Sequence, residues 1–409
     1  IILAGVKSVT LHDTENATIN DLSSQFFLDE SSIGKNRALE SYQKLSELNE
    51  YVSVSTSIDE LSNDLIKQFN CVVITSPIPY SKILEVSKFC HENSIAFILA
   101  MTRGVFGLIF NDFGDSFYIS EPSFEKPSRF LIESISHDEK GIVTINPKDE
   151  HKLSDGDHVI FDQVEGMTEL NGKEFPVKDI KAKSFSIGDT SHFHPYENTM
   201  SSGYGNQIIL PKTMHFKELN EALKNPYFEI ADYGALGNDQ QIVLAFFSLF
   251  KSIEENNTTA ENILKNADII NDEYKLSPEG INEDLIREFV RENAIISPLA
   301  AILGGIAGQE AIKSVSSKFT PFNMFFAYSD LAALQPINDP SFKTTIKNDR
   351  YDSYRIVFGD EQFEAMTNLK YFMVGAGAIG CELLKNWAMM GVSKNGQIYV
   401  TDMDQIEKS

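Results

Sequence analysis

The chain has little cysteine, little positive charge and no long hydrophobic run. Its 409 residues hold three cysteines, Cys71, Cys90 and Cys381, too few and too far apart for a disulfide framework or a zinc cluster. All three lie in apolar or helical stretches and read as structural thiols of a reducing compartment. Against 59 acidic residues there are 35 lysines and arginines, a formal charge of −24. A phosphate backbone would meet a repulsive field, so nucleic acid is not an expected partner. An acidic surface would steer a basic protein, and it equally serves solubility. The longest apolar stretch, LAAILGGIAG at 299–308, falls far short of the roughly 20 residues that cross a bilayer, so no membrane span is expected. The chain opens on Ile1 without an initiator methionine or a signal peptide, and this end reads as trimmed.

What is present concentrates near the other end. Residues 371–404 read YFMVGAGAIGCELLKNWAMMGVSKNGQIYVTDMD. A short apolar strand at 371–374 runs into Gly375, Gly377 and Gly380, a G-x-G-x-x-G fingerprint where strand turns into helix. The first glycine permits the tight turn, the second lets backbone approach a phosphate, and the third lets the helix pack on the strand. Free N–H groups at the helix start then face the anion. A second strand at 397–400 delivers Asp402, 22 residues after Gly380, close to the spacing of about 20 expected of a ribose-binding carboxylate. Strand, helix, strand and acid together predict a nucleotide site, against the plainer alternative of a structural Gly-rich turn.

The opening of the chain repeats part of this unit. GVKSVTLHDTENATI from Gly5 aligns with GVSKNGQIYVTDMDQI from Gly391, placing Asp13 on Asp402 and Glu15 on Asp404. Parts of two related domains are therefore expected. Up to about residue 124, strands at 7–11, 51–55, 71–75 and 95–101 alternate with helices at 58–69 and 80–93, the pattern of a parallel, doubly wound α/β fold. From 127 the pattern changes to short strands at 129–135, 141–145, 158–164, 175–179, 184–187 and 207–210, which predict an inserted antiparallel β-barrel or sandwich. His192 and His194 share one loop of this region without a third ligand at a useful spacing, and read as loop residues.

Residues 216–296 carry apolar stripes at helical spacing in QQIVLAFFSLFKSI, AENILKNADII and NEDLIREFVREN, predicting a small helical bundle with Phe246, Phe247 and Phe250 in its core. A helix opening at Ser297-Pro298 contains Gly304, Gly305 and Gly308; glycine there costs about 1 kcal/mol each relative to alanine, so close approach of another backbone is the expected compensation. A strand at 324–328, a polar linker at 335–347 and the helix of RYDSYRIVFG from Arg350 complete the chain.

VGAGAIGCELLKNWAMMGV followed by TDMDQIEKS resembles the active adenylation domain of ubiquitin-activating enzymes, the E1 family. The resemblance implies a Rossmann-like, ThiF/MoeB-like α/β fold in five pieces. These are an inactive adenylation domain at 1–126, a first catalytic cysteine half-domain built as a β-barrel at 127–212, a four-helix bundle at 213–297, the return of the inactive domain at 298–346, and the start of the active domain at 347–409. It implies ATP with Mg²⁺ as cofactors. Gly375, Gly377, Ala378 and Gly380 would approach the nucleotide, Asp402 would hold the ribose and Asp404 would support the site. No metal ligand and no transfer cysteine is expected among these residues; both would lie beyond Ser409, where the active domain would be cut.

In the first copy LSSQFF at 22–27 stands where the family's active copy has LNRQFL, so Ser24 takes the place of a phosphate-contacting arginine, and Ser353 takes the place of an arginine that related activators reach across with. A serine supplies no guanidinium fork, so the first copy is expected to be inactive. The implied activity is ATP-dependent adenylation of the ubiquitin C-terminus, then thioester formation and transfer to E2 conjugating enzymes, in cytoplasm and nucleus. These 409 residues alone are expected to be inactive. Alternative readings are an activator of another ubiquitin-like modifier, a non-catalytic ubiquitin-binding fragment, and an NAD-dependent oxidoreductase.

Overall fold

A computed structural model describes residues 1–198, 203–230, 237–335, 339 and 341–405. The last four residues of the TDMDQIEKS segment, 406–409, lie outside the described residues. The chain forms two compact units, one of Ile1–Ser116, His215–Val315 and Pro321–Ser409, the other of Phe117–Met214 with Ser316–Thr320. The architecture is mixed α/β.

At the centre of the first unit lies a five-stranded sheet in the order Phe228–Glu229, Phe325–Ser329, Phe106–Asp112, Ala96–Arg103, Cys71–Ile74. Its outer pairs are parallel, whereas Phe106–Asp112 runs antiparallel to both neighbours. The expected all-parallel order is therefore broken, and the cause is local. Only Gly104 and Val105 separate Ala96–Arg103 from the next strand, and a two-residue link can only reverse direction. Gly104 sits at φ +52, which suits glycine. Phe106–Asp112 is buried along its whole length, so it shows no polar alternation to mark it as a strand.

The amphipathic run at 80–93 forms helix Tyr80–Glu92. The helix expected over 58–69 shrinks to Asn63–Ile66, because the Ser62 side chain accepts the Leu65 N–H and caps it there. The three helical stripes become Asn238–Glu254, Ala260–Tyr274 and Glu283–Arg291, the last two capped by Thr259 and Asn282. Asn238–Glu254 is buried on nearly every side from Gln241 to Phe250, which places Phe246, Phe247 and Phe250 in the core; Phe246 meets Phe289 edge-on at 4.9 Å.

The glycines of helix Ser297–Ser316 are not pressed by a neighbouring backbone. A Cβ added at Gly304 or Gly305 would meet nothing within 4 Å, and one at Gly308 would meet only the Ile1 side chain at 3.9 Å. The expected compensation is absent there, and these positions are open for want of a neighbour rather than tight.

The second unit is built on an antiparallel sheet of seven strands in the order Glu174–Pro176, His158–Asp162, Tyr204–Ile208, Arg129–Ile135, Ile142–Ile145, Ser184–Ser186, Lys178–Lys181. Its two edge strands are consecutive in the chain, separated only by the fully buried Val177. The sheet must therefore curl until its edges adjoin. The enclosed core holds Phe130, Ile132, Val143, Val159, Phe161 and Phe185. What read as one strand over 175–179 is broken at Val177 and serves both edges. In this unit His192 pairs with Asp189 at 3.4 Å and His194 with Glu169 at 2.6 Å.

Candidate nucleotide site

Strand Lys370–Val374 pairs in parallel with Gln397–Thr401, and the turn between strand and helix begins where this register ends, with the Gly375 N–H donating to Thr401 O at 2.8 Å. Gly375 has φ +96, a conformation other residues resist. Gly377 is the extended residue before helix Ala378–Met390, with no side chain capping the helix start. The first-turn N–H groups of that helix are thus left for an external acceptor. A Cβ on Gly377 would meet nothing within 4 Å, so the space over the loop is open. Gly380 is the reverse case: its Cβ would stand 2.2 Å from Gly375 O, so only glycine lets the helix lie this close to the turn.

Asp402 closes the site from the second strand. Its Oδ2 accepts the Ala376 N–H at 2.6 Å and its Oδ1 accepts the Asp404 N–H at 2.8 Å. These N–H groups, Asp404's first and then Ala376's, hold the exposed carboxyl below the usual carboxylate range. Each oxygen keeps a second lone pair for a hydroxyl donor. Gly375, Gly377, Ala378, Gly380 and Asp402 are thus gathered around one turn, and Asp404 joins them through its backbone. Cys381 is not the structural thiol expected of it: it is exposed, and its Sγ donates to Ala376 O at 3.2 Å beside the loop. Cys90 is buried as expected, and burial foremost, with Asp112 nearby, pushes its thiol up to about 12.

The first copy reproduces one half of this arrangement and replaces the other. Asp13 Oδ1 accepts the Glu15 N–H at 2.9 Å, the counterpart of the Asp402–Asp404 bond. Arg37 then holds both oxygens, its Nε donating to Oδ2 at 2.8 Å and Nη2 to Oδ1 at 3.0 Å; Nη1 reaches Asp21 at 3.1 Å. An internal guanidinium thus stands on the acid that in the second copy faces open solvent. Sequence reasoning missed Arg37, although Asn36 just before it, an N-cap that accepts the Leu39 N–H, marks the start of its helix. Ser24 follows the short helix Ile19–Ser23, and Ser353 is buried against Ser23.

A glycine turn between parallel strands, an uncapped helix start and an acid at the end of the second strand form a candidate nucleotide site, and the ThiF family profile matches residues 351–409. The profile of the ubiquitin-activating enzyme E1 FCCH domain matches 138–208, and that of the E1 four-helix bundle matches 210–261. Over its whole length the chain is 39% identical to ubiquitin-like modifier-activating enzyme 1 of Oryctolagus cuniculus, covering 40% of that protein, and 40% identical to ubiquitin-activating enzyme E1 2 of Arabidopsis thaliana, covering 39%. The chain is thus similar over its whole length to ubiquitin-activating enzymes of the E1 family, and three profiles of that family's domains match parts of it. It spans about two fifths of the length of these curated relatives. Among solved structures, E. coli MccB aligns at 20% identity over 26% of this chain and 31% of its own, with a TM-score of 0.24, too low to bear on the fold.

Proposed function

We propose that the protein activates ubiquitin, using ATP and Mg²⁺ to adenylate its C-terminal carboxylate before passing it through a cysteine thioester to E2 conjugating enzymes. The observation that carries this is the open turn of Gly375, Gly377 and Gly380 beside Asp402, in a chain whose relatives are named as activators of ubiquitin or ubiquitin-like modifiers. ATP fits the residues present: unpaired N–H groups at the helix start suit phosphate oxygens, and the free lone pairs of Asp402 suit ribose hydroxyls. When bound, ATP supplies the α-phosphorus that the carboxylate oxygen attacks as pyrophosphate leaves. The chain's own part is to bind and orient it, with Gly377 and Ala378 under the phosphates, Asp402 on the ribose and Asp404 fixing Asp402. Mg²⁺ enters by resemblance alone, with its ligand and the transfer cysteine assigned outside these residues.

In this proposal 1–126 and 298–346 form the inactive adenylation domain, 127–212 the first catalytic cysteine half-domain with its barrel, 213–297 the four-helix bundle, and 347–409 the start of the active Rossmann-like domain. The curled sheet of the second unit would contact ubiquitin. Free Cys71, Cys90 and Cys381 suit the cytoplasm and nucleus. The test is Gly377→Val in a protein of the relatives' full length. Because the side chain would enter open space, folding should be kept while ubiquitin-dependent exchange of pyrophosphate into ATP is lost. Exchange at the wild-type rate would place the nucleotide elsewhere.

A further inference from the structure

Glu292 directly follows helix Glu283–Arg291 and is fully buried. Its Oε1 faces the Arg291 guanidinium at 3.3 Å, and its Oε2 has no hydrogen-bond partner among the described residues. The side chain lies against the backbone of Gly104 so closely that a Cβ there would stand 2.3 Å from the Glu292 Cβ and 2.5 Å from Oε2. Two further charged groups face it. Glu288 is paired with Arg291. Arg103 is committed to the end of the helix, donating to Phe289 O at 2.7 Å, Val290 O at 3.0 Å and Asn293 Oδ1 at 2.8 Å. A carboxylate out of water with one oxygen unpaired is costly, and its protonated form is not. Burial foremost pushes the Glu292 carboxyl up to about 8; Arg291 opposes the rise and Glu288 adds to it.

The residues that follow form a strap anchored along its length. Ala294 O accepts the Gly104 N–H at 2.7 Å, and Ile295 O lies 3.2 Å from the Ser23 hydroxyl, which also meets Asn20 O at 2.6 Å. The Ser297 N–H donates to the Tyr354 hydroxyl at 3.2 Å, and that hydroxyl donates to Ser23 O at 2.7 Å. Tyr354 lies on helix Asp352–Asn368, which leads into the nucleotide strand, while Ser23 belongs to the first copy. One end of the strap is therefore a buried acid, and the other is the joint between the two copies.

We propose that Glu292 is a proton-operated switch on this strap: protonated, it seats 292–297 on Gly104 and holds the Ser23–Tyr354 joint, and ionised, it drives the strap off Gly104 and loosens that joint. The device is independent of the reaction the nucleotide unit performs. It is tested by amide hydrogen exchange of the whole chain at about pH 6.5 and about pH 9, on either side of the carboxyl's titration and corrected for base catalysis of exchange. Wild-type peptides covering 292–297 and 20–24 should lose protection about tenfold or more at the higher pH, and Glu292→Gln should not show this loss. Equal protection at both pH values in the wild type, or the same loss in Glu292→Gln, would overturn the proposal. A second measurement does not depend on the variant folding. In glutamate-labelled wild-type chain, carbon-13 NMR should show a carboxyl titrating in the neutral range, and the absence of any such signal would also overturn it.

Discussion

The Ser23 and Ser353 hydroxyls meet at 3.1 Å, joining residues 330 positions apart, both of them buried. By the family resemblance, Ser353 is expected in the place of an arginine that reaches across to a partner domain, and Ser24, next to Ser23, in the place of a phosphate-contacting arginine. The structure brings Ser353 onto Ser23, the residue before Ser24. What meets there is a pair of small hydroxyls, and Arg37 covers Asp13. The first copy is thus filled from within the chain.

Asp402→Ala and Asp13→Ala should part company in a protein of the relatives' full length. Loss of a ribose-binding carboxylate at Asp402 should weaken ATP about tenfold to a hundredfold, the worth of hydrogen bonds to a charged group of about 1.5 to 3 kcal/mol. Asp13→Ala should leave ATP affinity unchanged and lower the melting temperature, since Arg37 loses its bidentate partner. Calorimetric titration of both variants checks this, and equal losses of affinity would mean that the first copy also binds nucleotide.

Gly380→Ala should destabilise the nucleotide unit by about 1 to 3 kcal/mol, because its methyl group would press on Gly375 O. Gly377→Ala should cost little, with open space at that position and φ −71 suited to any residue. Urea unfolding of the two variants should rank them in this order, and the opposite ranking would show that the turn is not packed as described.

His91 gives stability a pH dependence of known sign. Burial works against its charged form, but Asp112, which meets Nδ1 at 2.9 Å, and Asp115, which meets Nε2 at 3.3 Å, outweigh it and raise the pKa. The added stability is then fully present below the unfolded histidine value of about 6.5 and is lost as pH rises through the higher folded value. Wild type should exceed His91→Gln by about 1 to 2 kcal/mol at low pH, and the gap should close towards alkaline pH. A gap that stays constant from about pH 6 to about pH 9 would remove the ion pair from the account.

Glu139→Lys tests the second unit's proposed contact with ubiquitin. Glu139 is exposed in the loop between strands Arg129–Ile135 and Ile142–Ile145. In steady-state kinetics of the longer enzyme, ubiquitin KM should rise severalfold with kcat unchanged, the mark of lost uniform binding. A fall in kcat at constant KM would argue for a role in the chemistry.

Local signals in the sequence decided the glycine turn. Gly375, Gly377, Gly380 and Asp402 act through backbone geometry within a single strand–helix–strand unit, and φ +96 at Gly375 or a helix resting on Gly380 needs nothing from the rest of the chain. The helical stripes and most strands of the second unit were legible for the same reason, since burial of one face imposes a period of 3.6 or 2. Other features needed the tertiary structure. Arg37 on Asp13, Glu292 on Gly104 and Ser23 on Ser353 depend on which surfaces meet, and no spacing rule links residues so far apart. Phe106–Asp112 is buried on both sides and carries no alternation to announce it, and its direction was set by a two-residue turn. The open helix face at Gly304 and Gly305 was misjudged because the cost of a helical glycine is local, whereas what lies beside it is not.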